Sequence, residues 1–216
     1  IHKEIESRGL MDKDVVLGNV LVDMYVKCDL FAEAQQVLEQ LPIRNVISWS
    51  ALIAGYAQDG KGHQALSCFE RMLSEGLSPD VITFLSVLKA CGSIGAIDMG
   101  KQIHEEIMMQ GLLEDIVLAN SLVDMYAKCS MLAKARQVLE GLPIRNIISW
   151  NALITGYAQH GLDHEALICF EKMQNEDISP DAITFTCILK TCGSTGAIEM
   201  GKKVHEEIKN SGLLEK

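Results

Sequence analysis

Apolar positions occur in blocks of about twelve residues that are separated by short breaks. Val46–Gln58 is mostly apolar, and after a break at Asp59–Gly62 the segment Gln64–Glu75 carries apolar residues at helical spacing on one face. Gly76 and Pro79 then end this second segment, as is typical of a helix C-terminus. The pattern therefore predicts helical hairpins, each with an apolar first helix and an amphipathic second helix.

The same pattern returns 101 residues later, where Trp49 recurs as Trp150 and the segment Asn19-Val-Leu-Val-Asp-Met-Tyr recurs from Asn120 with one change. Three shorter units fill this period, with 35, 35 and 31 residues. A hairpin of this size cannot bury its apolar face alone, whereas stacked hairpins bury a continuous core. The sequence thus predicts an all-α stack of repeats.

Glycines and prolines indicate where the helices turn. Gly92 and Gly95 are expected to form the turn of the second unit, and Gly111 to stop its second helix. In the shorter third unit we expect a turn at Cys129–Met131 and a stop at Leu142-Pro143.

Net charge is −10, which speaks against a nucleic-acid ligand because neutralisation of phosphates normally dominates affinity. The predicted first helices are nevertheless mildly basic, and the acidic residues concentrate on the second helices. A groove lined by first helices would meet RNA with few cations, so we expect weak binding with a shallow salt dependence. The first helices contain Lys27, Lys89, Lys128 and Lys190 against Asp23 and Asp124.

No pattern for catalysis emerges. His-x-Glu occurs at His2, His104 and His205, but the Pro-Cys-x-x-Cys half of a zinc deaminase signature is absent, so we expect no enzyme, metal or cofactor. Six of the seven cysteines recur at equivalent positions, which predicts small buried side chains in a reducing compartment. Trp49 and Trp150 are expected to pack between helices. No apolar run approaches the ~18 residues of a membrane span.

Several segments resemble the pentatricopeptide-repeat (PPR) family, specifically its plant organellar subclass with alternating standard, long and short (PLS) repeats. The segment from Asn45 through Trp49 to Gln58, Leu122–Cys129 and Gly100–His104 carry the resemblance. The tetratricopeptide repeat shares part of the pattern but has a different period. The resemblance implies a right-handed superhelical solenoid whose repeats are 1–14 (partial, a second helix), 15–45, 46–80, 81–115, 116–146, 147–181 and 182–216.

PPR arrays bind single-stranded RNA, and the resemblance implies that the fifth and last residues of each repeat read one base. The family's code assigns C or U to Asn/Asn, G to Ser/Asp and U to Asn/Asp, which predicts pyrimidine–G–unread–pyrimidine–U from 5′ to 3′. Helix capping is an alternative role for such residues. The pairs are Asn19 with Asn45, Ser50 with Asp80, Asn120 with Asn146, and Asn151 with Asp181.

The resemblance also assigns residues beside the base-reading pairs. Lys27 and Lys128 lie where the family contacts phosphate, although a surface lysine is an alternative. The long repeats pair Leu85 with Asp115 and Thr186 with Lys216, and Leu85 cannot read a base. Branched residues that open the repeats resemble base-sandwiching wedges, and helix packing explains them equally well. These residues are Val15, Val46, Val81, Ile116 and Ile147.

Two functions remain open. The first is RNA recognition for an editing or processing factor in a mitochondrion or chloroplast, with a deaminase domain in cis or trans and no specificity for DNA. The second is a scaffold for proteins, with long repeats such as that of Leu85 and Asp115 docking editing cofactors. Neither end has a polar cap, so we expect a fragment of a longer array, without a deaminase domain and with ends that favour self-association.

Overall fold

The computed structural model describes residues 15–211, and this part of the chain is all-helical. The apolar first helices begin at the residues where the repeats were predicted to start, while the division into standard, long and short repeats stays a prediction. The helices are α1 (Val15–Lys27), α2 (Phe31–Gln40), α3 (Val46–Gln58), α4 (Gly62–Ser74), α5 (Val81–Ile94), α6 (Ile97–Met109), α7 (Ile116–Lys128), α8 (Leu132–Gly141), α9 (Ile147–Gln159), α10 (Asp163–Asn175), α11 (Ala182–Thr195) and α12 (Ile198–Asn210), with a short 3-10 helix at Leu112–Glu114.

The chain packs as two units, residues 1–103 and 104–216. In the first unit α1 packs on α2 and α3, and α3 packs on α4 and α5. Its core is built from first helices that are buried on several sides, such as α3 with Trp49, Leu52 and Ile53 at 0% exposure. The second helix α4 buries only a stripe that includes Phe69 and Met72. This division follows from the predicted apolar and amphipathic patterns.

The second unit repeats this arrangement. Helix α7 packs on α8 and α9, α9 packs on α10 and α11, and α11 packs on α12. Trp150, Leu153 and Ile154 of α9 are buried as their counterparts are in α3, while Phe170 and Met173 form the buried stripe of α10. Trp150 is 2% exposed, which confirms the predicted packing role of this tryptophan, and its Nε1 donates to Glu176 Oε2 at 3.2 Å.

Two predicted turns are shorter than the glycine positions suggested. Gly62 is the first residue of α4 and not part of the turn. An added Cβ there would meet the side chains of Ile94 and Ser93, so glycine permits the close approach of α5. Gly92 is a buried residue of α5, and the helix ends instead at Gly95, whose φ is +70°. The stops at Gly111 and Leu142, and the turn at Cys129–Met131, lie where they were predicted.

The cysteines are less uniformly buried than predicted. Cys68, Cys91, Cys169 and Cys192 are buried, and burial raises the pKa of Cys68 and Cys169 to about 11. The equivalent pair Cys28 and Cys129 follows the last residue of a first helix, where the chain turns, so Cys28 is exposed and Cys129 is half-buried. Within residues 15–211 no cysteine takes part in a disulfide.

The histidines of the His-x-Glu motifs differ from one another. His104 is buried, its Nδ1 lies 2.9 Å from the Tyr126 hydroxyl, and burial lowers its pKa. His205 is exposed. Within the described range no three His, Cys, Asp or Glu side chains are grouped to hold a metal ion, and no helix is long and apolar enough to cross a bilayer. His2, Lys216 and the partial repeat 1–14 lie outside the described residues.

Candidate nucleic-acid interface

In the second unit Asn151 and Asp181 form a hydrogen-bonded pair. Asn151 Nδ2 donates to Asp181 Oδ1 at 3.0 Å, and the Thr184 hydroxyl lies 2.6 Å from Asn151 Oδ1. Because the amide oxygen accepts from Thr184, the orientation of the amide is fixed, and its NH2 group keeps a second hydrogen for a ligand. Asn151 is 8% exposed.

Asp181 is also the N-cap of α11, where its Oδ1 accepts from the Thr184 backbone at 2.9 Å. Burial raises the pKa of Asp181, but hydrogen bonds from the Thr184 backbone, from Asn151 and from the Thr184 hydroxyl outweigh burial and bring the pKa below its ordinary value. The group is therefore a carboxylate at neutral pH. The hydrogen bonds from Asn151 Nδ2, the Thr184 backbone and the Thr184 hydroxyl all end on Oδ1.

Ser50 and Asp80 form the corresponding pair in the first unit. Ser50 Oγ lies 3.3 Å from Asp80 Oδ1 and 2.6 Å from Thr83 Oγ1, and Ser50 is 4% exposed. Asp80 caps α5 by accepting from the Thr83 backbone at 2.8 Å. Thus Thr83 and Thr184 play the same part, since each hydroxyl links a fifth residue to a capping carboxylate.

The Asn/Asn pairs are built differently. Asn45 and Asn146 are N-caps of α3 and α9, each with a reciprocal capping box to the serine three residues on. The fifth residues of these pairs are Asn19 and Asn120. Their buried Oδ1 atoms have no hydrogen-bond partner within residues 15–211. The capping role, an alternative for the base-reading residues, therefore holds for the last member of all four pairs and not for the fifth.

Two open grooves adjoin the fifth residues. The groove of the first unit, about 300 Å³, is lined by Ser50 and Asp80 together with Lys27, Ile47 and Ile82. The groove of the second unit, about 390 Å³, contains Asn120 and Asn151 with Asp124, Val117, Ile148 and Ile183. The fifth residues are thus largely buried, and they reach a ligand only from the floor of these grooves.

The apolar residues that project into the grooves are the second of each repeat and not the first. Val15, Val46, Val81 and Ile147 are half-buried, and Ile116 is 36% exposed. The next residue in each case is more exposed and, at five of the six repeats, is among the residues lining the two grooves. The sequence could have identified these second residues by their position three residues before the fifth residue, because that spacing places the second and fifth residues on one face of the helix. These second residues are Val16 (67% exposed), Ile47 (63%), Ile82 (59%), Val117 (53%), Ile148 (61%) and Ile183 (58%).

The lysines predicted to contact phosphate are already paired. Lys27 Nζ lies 2.7 Å from Asp23, and Lys128 Nζ lies 2.7 Å from Asp124, both one helical turn away. Each pair is neutral as a whole, so these lysines add less basicity to the grooves than their number suggests.

The repeats predicted to be long, 81–115 and 182–216, have no polar pair at the fifth and last positions within the described residues. Leu85 is half-buried, and Asp115 caps α7 by accepting from the backbones of Val117 and Leu118. Thr186 is exposed and donates to the Ala182 carbonyl in its own helix. Docking of a partner at Leu85 and Asp115 stays a prediction.

Family models match most of the chain. The model described as the PPR repeat family matches residues 44–93 and 145–194, and the model described as the PPR repeat matches residues 117–147 and 183–213. A putative mitochondrial pentatricopeptide repeat-containing protein of Arabidopsis thaliana is 43% identical over 189 residues, which are 87% of this chain and 30% of that protein. The chloroplastic pentatricopeptide repeat-containing protein CRR2 of the same plant is 38% identical over 208 residues, 95% of this chain and 32% of that protein.

Solved structures share the fold. PPR10 from maize matches with a TM-score of 0.66 at 24% identity, covering 90% of this chain and 29% of that one. PPR10 in complex with an 18-nt psaJ RNA element matches with a TM-score of 0.70 at 18% identity, covering 94% and 31%. The predicted fold class is confirmed. The chain spans a little under a third of the length of the two curated relatives above, and it belongs to the pentatricopeptide-repeat family.

Proposed function

We propose that the chain binds single-stranded RNA in a sequence-specific manner, with one base for each readable repeat. The observation that carries this proposal is the repeated groove, in which an exposed branched apolar side chain stands beside a polar fifth residue on the floor. Family membership and the RNA-bound structure of PPR10 support it.

The apolar faces and the polar edge of a nucleobase both fit such a groove. Its apolar faces fit between successive second residues, such as Ile148 and Ile183, because flat rings bury well against branched aliphatic side chains. Its polar edge then meets the groove floor. The depth of the fifth residues favours this geometry, since an edge-on base reaches further into a narrow groove than a phosphate does.

The floor atoms differ between the grooves in donor and acceptor character. Asn151 offers an amide hydrogen beside the Asp181 carboxylate, a donor and an acceptor that match the O4 and N3–H of uracil. At Ser50 the carboxylate of Asp80 adjoins the groove, and its Oδ2 is suited to accept from N1–H and the amino group of guanine. The unpaired Asn120 carbonyl accepts from the amino group of cytosine or from N3–H of uracil.

A reciprocal exchange tests this assignment. Asn151→Ser makes the second-unit pair like that of the first unit, so its preference moves from U towards G, and Ser50→Asn makes the opposite change. Each mismatch is expected to cost ~1–3 kcal/mol by analogy with direct base readout. Fluorescence anisotropy with oligonucleotides that vary only the two bases in question measures both shifts.

The two variants act as controls for each other, because the expected changes have opposite directions. Circular dichroism shows whether each variant keeps the helical fold. If both fold and both keep the wild-type base preference, the assignment of these residues is wrong. If the unchanged chain binds matching and scrambled RNA equally, sequence-specific binding itself is wrong.

We further propose that the chain acts in an organelle, as part of an RNA editing or processing factor. The organellar part rests on relatives that are named mitochondrial or chloroplastic. The editing part rests on the resemblance to the PLS repeat pattern. Transcript editing status in a plant that lacks the full-length protein tests the second part, and a processing defect without an editing defect would point to the other outcome.

A further inference from the structure

A pocket of about 570 Å³ adjoins the groove of the second unit. It lies where α9 ends and α10 begins, against the later turns of α11, and Thr155 lines both the groove and the pocket. We call it the lysine pocket. Its polar lining residues are Thr155, Gln159, Asp163, Lys190, Thr191 and Ser194.

Lys190 is a cation with no partner in the described part of the chain. It is exposed, and no carboxylate between residues 15 and 211 lies within ion-pair distance of it. Lys128, the lysine predicted to contact phosphate in this unit, is instead held by Asp124 at 2.7 Å. A ligand anion at Lys190 therefore does not have to displace an internal carboxylate, whereas an anion at Lys128 competes with one.

Thr191 is a second residue of the lysine pocket whose polar group has no partner in the described part of the chain. It is 1% exposed, and its Oγ1 has no hydrogen-bond partner within residues 15–211. Buried hydroxyls without a partner are uncommon in folded proteins because they lose their bonds to water. The equivalent residue of the first unit is Ala90, so packing at this position does not need a hydroxyl.

The residue that begins the second helix differs between the two units. In the first unit this helix begins at Gly62, where an added Cβ would lie 2.6 Å from Ile94 and 2.8 Å from Ser93. The second unit has Asp163 at the equivalent position, and Asp163 Oδ2 accepts from Ser194 Oγ at 2.6 Å. The second unit therefore accommodates an aspartate side chain at a position where the first unit has a closely packed glycine.

We propose that the lysine pocket binds a backbone phosphate of the RNA whose base occupies the adjoining groove. Lys190 supplies the positive charge, and the Thr191 hydroxyl donates to a phosphate oxygen. Asp163 opposes the phosphate by its charge, although one of its oxygens is occupied by Ser194. The proposal rests on the proposed function, because it places a second part of the same nucleotide.

Phosphate is favoured over a second base by the chemistry of the side chains that line the pocket. The groove already offers apolar walls for a base, whereas the lining of the pocket includes a lysine and the hydroxyls of Thr155, Thr191 and Ser194. A contact to phosphate carries no sequence information, so loss of Lys190 has to weaken every RNA equally.

Salt dependence of RNA affinity tests the cation. Each phosphate contact on a single strand adds about 0.7 to the steepness of log K against log salt concentration, so Lys190→Gln is expected to lower it by about that amount. Lys203→Gln is the matched control, since it removes the same charge from an exposed lysine on a second helix, α12. Its slope is expected to match that of the unchanged chain.

Two further variants separate a phosphate from other ligands. Thr191→Val is expected to weaken RNA binding about tenfold while raising the melting temperature, because a buried hydroxyl without a partner is removed. Asp163→Asn is expected to strengthen binding. A role of Thr191 in packing alone would change the melting temperature without changing affinity, and a base in the pocket would make Asp163→Asn weaken binding.

The readouts keep this proposal separate from base reading. Equal weakening of matched and scrambled RNA by Lys190→Gln, together with a lower slope, supports the phosphate site even if base preference fails. The proposal is overturned if Lys190→Gln and Lys203→Gln give the same slope. It is also overturned if Lys190→Gln weakens matched RNA only.

Discussion

Asp181 caps a helix and also binds the side chain of Asn151, and two substitutions at this position separate these roles. Its Oδ1 caps α11 through the Thr184 backbone and accepts the amide of Asn151 at 3.0 Å. Asp181→Ala removes both. Loss of an N-cap costs about 1 kcal/mol. An amide left unpaired in a largely buried site costs ~1–3 kcal/mol. The free energy of unfolding is therefore expected to fall by about 2–4 kcal/mol.

Asp181→Asn keeps an oxygen in the same place and is the matched control. Asparagine already caps α3 and α9 in this chain, so the cap is retained. The change removes a negative charge at a helix N-terminus, which costs about 0.3–1 kcal/mol. Urea denaturation followed by circular dichroism measures both variants. Equal losses of stability in the two would refute the idea that the bonds to Oδ1 hold this site.

The same asparagine variant has a second expected effect, on RNA. It converts the Asn/Asp pair into Asn/Asn, which the family's code reads as C or U, so the preference for U over C at this repeat falls. Total affinity for a U-containing RNA changes little, because the donor of Asn151 remains. A preference for U over C that survives the substitution would show that the carboxylate has no part in reading the base.

Two further predictions concern stability. Gly55→Ala is expected to destabilise the first unit by ~1–3 kcal/mol, because the new Cβ would collide with Val26 Cγ1 and lie 3.1 Å from Phe31. Gly193→Ala is the control, because nothing lies within 4 Å of an added Cβ there, and in the same urea experiment it stabilises its helix or leaves it unchanged. The lowered pKa of Asp181 and of Glu176, the latter caused mainly by the hydrogen bond from Arg145, makes both carboxylates stabilising above their ordinary pKa of about 4, and this contribution is lost as pH falls through the lower folded values. Melting temperatures between pH 7 and 3 should therefore fall less for Asp181→Asn than for the unchanged chain, and parallel curves would contradict this.

The fold could be predicted because periodicity reports burial directly. The first helix Val46–Gln58 was predicted residue for residue, since it is apolar along its length and is followed by a break. Glycine was the weaker signal, because a glycine marks either a turn or a close approach. At Gly95 it ends a helix with positive φ, whereas at Gly62 it admits a neighbouring helix, and only the packed structure distinguishes the two.

The groove wall was harder to assign than the groove floor. Polar residues such as Ser50 stand out in an apolar helix, but two adjacent branched residues, Val46 and Ile47, look alike in sequence. They differ by about 100° around the helix, and that rotation decides which one is exposed. Since the second, fifth and ninth positions share one face, the same reasoning places Ile183 and Lys190 of α11 on the groove side. The unpaired state of Lys190 depends on its neighbours in space and was not visible in the sequence.

Helix capping restricts the amino-acid types that are suitable for the last residue of each repeat. Asp80, Asn146 and Asp181 are all N-caps of the next helix, and only short side chains with an acceptor oxygen stabilise that position well. A base-reading residue placed there is consequently drawn from Asp, Asn, Ser and Thr, whose acceptors and donors also distinguish base edges. The fifth residue carries no cap and is free to vary, as Ser50 and Asn151 do at equivalent positions. Changes of base preference at constant stability are therefore expected to arise more readily at the fifth residue than at the last.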